Sequence, residues 1–498
     1  MDYSAGKNAY SRWASEEEIK SSSYKVNLKE ENTEYGGMPL YYDSDNVYLE
    51  NMDYHSLILG PTGSKKTRLI VMPSICLYAR AGESFIATDP KAELYERAMP
   101  ILKKNGYHIF VLNFRDPLQS NCWNPLIIPY LQYHNGSQDK AIEFINDLAN
   151  NIVKDDYSKD PYWQNSAADL LTGLILILCE CTEKDKIHFK SLRALRTQAF
   201  KNMIDDNPFI RKNFLQYLNS ASFVFSILSG TVEVCDTTRG CIVSVFDQAI
   251  RPFFSQENLI NMLSVNDLDM SKIGNEKTAV FLIIPDENTL YHKLISVFVK
   301  QCYTELISEA MRHPLKRLPR RVNFLLDEFS SLPQISDFPA MITASRSRNI
   351  RFNLVVQSID QLRQRYGSQV EIIRGNCENW VFLHSRELSI LDELSNLSGK
   401  RNCEDPLVSV SMLQTLDKDK GEAFILHRRK YPFITRLLDI DNYPEIISTP
   451  EQIRYPRNFR KTNSVFDFEE FCESKSANFL SQLFTGKTRK NIAKDSRR

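Results

Sequence analysis

A short hydrophobic run, His55–Leu59, leads directly into Gly60-Pro61-Thr62-Gly63-Ser64-Lys65-Lys66-Thr67. A glycine, four residues and then glycine-lysine-threonine, set between a strand and a helix, form the pattern of a loop that cradles phosphates. Backbone N–H groups and a helix N-terminus hold the phosphate oxygens, the lysine reaches the outer phosphates, and the hydroxyl binds Mg²⁺. All eight residues are candidate phosphate contacts, with Lys66 and Thr67 in the lysine and hydroxyl roles. Lys65 occupies the position of the second glycine. A Cβ in the left-handed conformation expected there costs roughly 1–2 kcal/mol. The added charge attracts phosphate, whereas a shifted loop would slow hydrolysis. The plain alternative is an ordinary strand-to-helix turn.

A second constellation lies far along the chain. The run Val322–Leu326 ends in Asp327-Glu328. Where a buried strand delivers two acids to the edge that carries a phosphate loop, the first serves the metal shell and the second activates the attacking water. The next run, Arg351–Val356, ends in Gln357, a polar group able to sense the outer phosphate or orient the water. Two solvated acids at a strand end are the competing explanation.

These residues need strands to aim them. Eight short runs read as strands: His55–Leu59, Ser84–Thr88, His108–Leu112, Ala279–Ile284, Val322–Leu326, Arg351–Val356, Trp380–Leu383 and Ala423–Leu426. They are apolar, rich in β-branched or aromatic residues and bounded by turn residues. Helix-like stretches separate most of them, so the pattern predicts an α/β fold with a parallel sheet covered on both faces. A helix is expected over Arg68–Tyr78, kinked or interrupted early by Pro73. The alternation stops over 127–258, which predicts an all-helical domain inserted between sheet segments 51–126 and 259–450. Residues 1–50 read as a polar, irregular or short-stranded extension. Residues 451–498 read as a polar, disordered tail whose last twelve residues hold six Lys or Arg against one Asp.

The whole-chain numbers remove several classes. At 498 residues, 42% hydrophobic and 25% charged, the chain is ordinary globular protein of two to four units. Lys+Arg and Asp+Glu both number 62, so a surface for nucleic acid must be a local patch. The ten cysteines include no Cys-x-x-Cys pair with nearby histidines, so reduced thiols are expected and zinc is not. No run approaches the ~18 apolar residues of a membrane span; Leu170–Cys179 reads as a buried helix. The polar N-terminus does not read as a signal peptide.

In order along roughly residues 10–430, the motifs resemble the TraG/TraD-type coupling proteins of conjugative type IV secretion. They include Asp89-Pro-Lys-Ala-Glu93, Leu112-Asn-Phe-Arg-Asp-Pro117 with Asn124-Pro-Leu, and Asp160-Pro-Tyr-Trp-Gln. They continue through Leu326-Asp-Glu-Phe329, Ala344-Ser-Arg-Ser-Arg-Asn-Ile350, Val356-Gln-Ser-Ile-Asp-Gln-Leu362 and Leu394-Ser-Asn-Leu-Ser-Gly-Lys400. The resemblance implies a RecA-like P-loop NTPase sheet flanked by helices, with an inserted all-α domain. It implies ATP and Mg²⁺ as cofactors, a homo-hexameric ring, and DNA or a relaxase–DNA complex delivered to a secretion channel. Carried over, Lys66, Glu328 and Gln357 are catalytic, and Thr67 and Asp327 hold Mg²⁺. Arg346 reaches a neighbouring subunit's site, with Arg348 as its rival. Lys65 and Ala92 each replace a family glycine. The membrane helices that usually precede the Ser11-Arg-Trp13 segment are not found, so a cytoplasmic location is expected, with a partner recruiting the chain to the inner face of the membrane. Two other readings stand beside a DNA-dependent ATPase: an ATP-binding adaptor with weak hydrolysis because of Lys65, and a mobile-element or defence ATPase acting on DNA without secretion.

Overall fold

Each of the eight hydrophobic runs is a strand in the structure, a computed structural model that describes residues 10–154, 160–200, 223–285, 290–447, 454–457 and 464–474. In chain order the strands are β1 (Tyr24–Asn27), β2 (Met38–Asp43), β3 (Asn46–Glu50), β4 (Ser56–Leu59), β5 (Ser84–Asp89), β6 (His108–Asn113), β7 (Thr278–Ile283), β8 (Val322–Leu326), β9 (Ile350–Val356), β10 (Asn379–Phe382), β11 (Glu422–His427) and β12 (Phe433–Arg436). Nine form one sheet in the order β12-β11-β10-β4-β9-β8-β5-β7-β6. From β10 to β6 every pairing is parallel, while β11 and β12 join antiparallel at one edge. β5, β7, β8 and β9 are buried along their whole length, as expected of strands covered on both faces. The fold is therefore the expected α/β fold with a mostly parallel sheet, closed by an antiparallel edge.

The described residues divide into two compact units, one within 1–121 and 268–457, the other within 122–267 and 458–498. The second is helical, with its principal helices at Gln138–Val153, Pro161–Cys181 and Asp236–Phe254. Its limits differ from the expected 127–258 by five residues at one end and nine at the other. Pro161 opens its helix at a position that needs no N–H, and Asp160 caps it by accepting from Tyr162 N at 3.1 Å. Leu170–Cys179 is buried in that helix, as the sequence suggested. Among the described residues no helix is long and apolar enough to cross a membrane.

Residues 16–50 carry short strands, one of the two forms expected of them: a capped helix, Glu16–Ser22, precedes an antiparallel sheet in the order β1-β3-β2. Two expectations need correction. The helix after the phosphate loop neither breaks nor stops at Pro73. It starts with a π-helical turn, Thr67–Val71, in which Met72 N donates to Thr67 O, and continues as Met72–Ala81. The wider turn comes just before the residue that lacks an N–H. Two pieces of the tail expected to be disordered are docked within their own units. Tyr95 Oη donates to Arg454 O at 2.7 Å, and Phe466, 5% exposed, donates from N to Ser191 Oγ at 3.0 Å. Their aromatic residues bury enough surface to order the chain. The basic terminal stretch 487–498 lies outside the described residues.

Candidate functional site

β4 lies between β10 and β9, so the loop that leaves it opens at the carboxyl edge of the parallel strands, where ligands of open α/β sheets bind. Gly60 N donates to Val356 O at 3.1 Å, which anchors the loop to β9. A Cβ on Gly60 would run into the Ser64 side chain. Ser64 N closes a turn onto Pro61 O at 3.2 Å, with Gly63 at φ +80°. Lys65 adopts φ +66°, the left-handed conformation that glycine would take, and its carbonyl accepts Leu69 N at 2.9 Å to start the helix. Lys65 therefore leaves the turn in place at a cost of roughly 1–2 kcal/mol. The N–H groups of Gly63, Lys65 and Lys66 donate to no group among the described residues, and the buried Ser64 Oγ has no partner there. An anion cradle has this form.

The two lysines differ. Lys66 is 8% exposed, and its ammonium folds back to donate to the carbonyls of Gly60 and Pro61, the latter at 3.2 Å. Burial draws its pKa down, and the charges of Asp327 and Glu328 oppose that. Lys65 turns away from the cradle, and its Nζ pairs with Asp419 Oδ1 at 3.0 Å. Asp419 sits on a turn fixed by Asp417 Oδ1, which accepts Asp419 N at 2.9 Å. From the sequence this charge is expected to attract phosphate; in the fold a carboxylate already holds it. That carboxylate is 75% exposed, so the pair is worth at most about 1 kcal/mol. Asp419→Asn is therefore expected to tighten MgATP binding two- to five-fold by freeing Lys65, an effect on the order of 0.4–1 kcal/mol that fades in high salt. Unchanged affinity in a fluorescent-nucleotide titration would mean that Lys65 does not reach phosphate.

Asp327 and Glu328 lie at the same edge, at the end of β8. Thr88 Oγ1 donates to Asp327 O at 2.8 Å, which pins β8 to β5. Asp327 is 8% exposed; burial pushes its pKa up to about 6, against the pull of Lys66. Its Oδ1 accepts Glu328 N at 2.9 Å. Glu328 sits at φ +55°, outside the strand conformation, and its carboxylate meets the end of β9. Gln357 Nε2 donates to Glu328 Oε1 at 2.9 Å, and Thr62 Oγ1 donates to Gln357 Oε1 at 3.3 Å. The tip of the phosphate loop is thus hydrogen-bonded through Gln357 to Glu328. Thr67, half-buried, is the first residue of the π-helical turn that follows the loop.

The sequence marks Asp89, at the end of β5, only as part of a family segment. β5 and β8 pair in register through Ala87↔Leu325, which places Asp89 level with Asp327. Asp89 is fully buried. One carboxyl oxygen accepts Tyr95 N at 2.9 Å, the other has no partner among the described residues, and burial pushes the pKa up to about 7. Ala92, in place of a family glycine, takes φ +63° in the turn that follows, and the charge of Lys91 is felt at Lys66. Strand-end position is the signal that could have found Asp89.

Arg346 is not brought to this edge. It follows the helix Phe338–Ser345 and precedes β9, so it lies at the amino edge, the full length of β9 away from Gln357. Its guanidinium lies over the Tyr54 ring at 3.9 Å from the centroid. Arg348, its rival, is half-buried on the same turn.

The profile of a family described as "Type IV secretory system Conjugative DNA transfer" matches residues 12–423. A conjugal transfer protein TraG of Escherichia coli is 23% identical over 383 residues, covering 72% of this chain and 57% of the relative. The type IV secretion system-coupling protein VirD4 of Bartonella henselae is 22% identical over 389 residues, covering 76% and 58%. The chain thus spans a little over half the length of these curated relatives. The fold is also that of the plasmid coupling protein TrwB. The TrwB structure with the ATP analogue ADPNP superposes with a TM-score of 0.62 at 14% identity, over 91% of this chain and 99% of that one. TrwB with ADP and Mg²⁺ gives the same TM-score.

Proposed function

The chain belongs to the type IV secretory conjugative DNA transfer family, and from that premise we propose that it is an ATPase that couples DNA to a type IV secretion channel. The observation that carries the reading is the convergence of the loop, Lys66, Asp327 and the Thr62–Gln357–Glu328 chain on one sheet edge. Unpaired loop N–H groups and a lysine resting on loop carbonyls fit a triphosphate, and the buried Asp327 carboxylate, whose charge is felt at Lys66, fits Mg²⁺ together with the Thr67 hydroxyl. Bound MgATP supplies an electrophilic phosphorus and a cation that spreads the developing negative charge.

The chain's own residues do the rest. Gly63, Lys65 and Lys66 orient the phosphates through backbone N–H groups and Ser64 through its hydroxyl, together with the rest of the loop from Gly60 to Thr67. Lys66 exchanges its carbonyl partners for phosphate oxygens. Asp327 and Thr67 hold the metal. Glu328 takes the proton of the attacking water, and Gln357 registers whether the outer phosphate is present through its bond to Glu328. Arg346 completes a neighbouring copy's site in a ring, which we take to be a homo-hexamer. DNA, free or relaxase-bound, is the cargo. What supports hydrolysis over the adaptor reading is the backbone of Lys65, which keeps the turn a glycine would make.

The test is DNA transfer from donor cells that lack the gene and receive it on a plasmid. Wild type is expected to restore transfer and Lys66→Ala to leave it at the level of the deletion. Equal transfer by both would sink the coupling ATPase reading.

A further inference from the structure

The helix Leu290–Arg312 passes to β8 through a tight turn at the amino edge of the sheet, His313-Pro314-Leu315-Lys316. Lys316 N donates to His313 O at 2.9 Å, and Pro314 fixes the first central position of the turn. Lys316 Nζ donates to Met311 O at 2.7 Å, at the carbonyl end of the helix. Two residues further on, Leu318 is buried over Gly274 and anchors the connection. Leu315, second of the two central residues, is 87% exposed, whereas no other large apolar side chain among the described residues exceeds 63%. Met311, in the last turn of the helix, is exposed too, as is Met52 in the connection between β3 and β4. Asp53, next to Met52, pairs with Arg317 at 2.9 Å and so joins the two connections.

The setting is cationic. Residues 312–321 hold five Lys or Arg and no Asp or Glu, in a chain whose formal net charge is zero. Three of the five meet carboxylates: Arg312 pairs with Glu309 at 2.8 Å, and Arg317 and Arg321 share Asp53. Lys316 and Arg320 donate only to backbone carbonyls, and so does Lys277, which crowds Gly82 together with Arg320. Further along the same edge, Arg346 and the hairpin Arg428–Lys430 add more positive charge.

A projecting apolar side chain among cations is what an anionic lipid surface satisfies. The leucine enters the boundary between headgroups and acyl chains, and the cations stay among the phosphates. Lysine and arginine stems lie along that boundary while their charged ends remain hydrated. DNA would meet the cations but offer nothing to the leucine. Surfaces that track a strand use aromatic faces, and residues 311–321 contain no Phe, Tyr or Trp. A protein partner of standard size buries roughly 800 Å² on each side, far more than a four-residue turn presents. A fluid surface needs no matching shape.

We propose that the turn 313–316, with Leu315 at its tip and the cations Lys277, Lys316 and Arg320 on the same edge, docks this face of the protein on a membrane surface that carries anionic lipid. The contact is peripheral and is weakened by salt.

Co-sedimentation of the full chain with vesicles tests it. The chain is expected to bind phosphatidylcholine vesicles containing about one third phosphatidylglycerol, and to bind phosphatidylcholine alone at least about ten-fold more weakly. Binding is expected to fall as salt rises from about 0.05 to 0.5 M. Leu315→Ser, which removes the apolar tip without adding charge, is expected to weaken binding at least about five-fold. Leu315→Trp is expected to strengthen it, because tryptophan favours the interface. Leu315 lies outside the core, so both variants should keep the wild-type urea midpoint and nucleotide affinity. A wild type that ignores the anionic vesicles, or one that Leu315→Ser matches on them, would overturn the proposal. A Leu315→Ser chain that loses DNA binding or self-association while binding vesicles normally would also overturn it, and would give the tip to DNA or to a second copy.

Discussion

Glu328→Gln is expected to slow ATP hydrolysis by 10²- to 10⁴-fold, the range for removing a positioned general base, while MgATP affinity stays within about three-fold. The substitution keeps the shape. Glutamine presents an oxygen where Glu328 Oε1 accepts from Gln357 Nε2 at 2.9 Å, so the link to Thr62 can persist. What is lost is the negative charge that takes the proton. Single-turnover hydrolysis beside equilibrium nucleotide binding separates the two effects. A variant that hydrolyses within three-fold of wild type would move the base elsewhere. Asp89 would then be the residue to examine, since its buried carboxyl lies level with Asp327 and has an oxygen without a partner among the described residues.

The largest stability effect is expected at Glu83. This carboxylate, 8% exposed, pairs with Arg321 at 3.2 Å and Arg351 at 3.3 Å, and accepts from Asn323 Nδ2 at 2.9 Å and Gly36 N at 3.1 Å. Arg351 is 1% exposed and also donates to Asn323 Oδ1 and to the carbonyls of Glu50, Met52 and Gly36. The network thus ties the β1–β3 sheet to the nine-stranded sheet beneath β8 and β9. Glu83→Ala leaves the buried Arg351 guanidinium without its counter-charge, while Arg321 keeps Asp53 at 2.7 Å, a loss of about 3–5 kcal/mol. Urea unfolding of the nucleotide-free protein, followed by tryptophan fluorescence, measures it. A loss under 1 kcal/mol would mean that the backbone carbonyls around Arg351 suffice.

Much of this is legible in the chain because hydrophobic strands announce themselves. All eight runs are strands, and residues that follow parallel strands necessarily share an edge, which is why the order of the runs alone groups Gly60, Asp327 and Gln357. β12 is not legible, because it is only four residues long, Phe433–Arg436, at a sheet edge directly after Pro432. β1, with Lys25 and Asn27 among its four residues, is short and half polar, and Pro39 inside Met38–Asp43 argues against a strand there. The backbone of Lys65 cannot be read from its side chain: a glycine-like φ depends on the turn that Pro61 and Ser64 close. Nor can its partner be read, because Asp419 is 354 residues away in sequence. The placement of Arg346 is within reach, since it precedes β9 while Gln357 follows it. The basic hairpin Arg428–Lys430 is not, because three cations in a row normally mark a solvated turn, and only the fold sets them against Tyr54 and Arg346.

The central claim is that this loop, lysine included, drives a DNA-dependent ATPase. Steady-state ATP hydrolysis by the full chain with Mg²⁺, with and without single- and double-stranded DNA and beside Lys66→Ala, tests it most directly. Turnover that rises with DNA and disappears in Lys66→Ala is the predicted result. A wild type that binds ATP without turning it over, while Lys65→Gly hydrolyses it, would contradict the claim and leave an ATP-binding adaptor in its place.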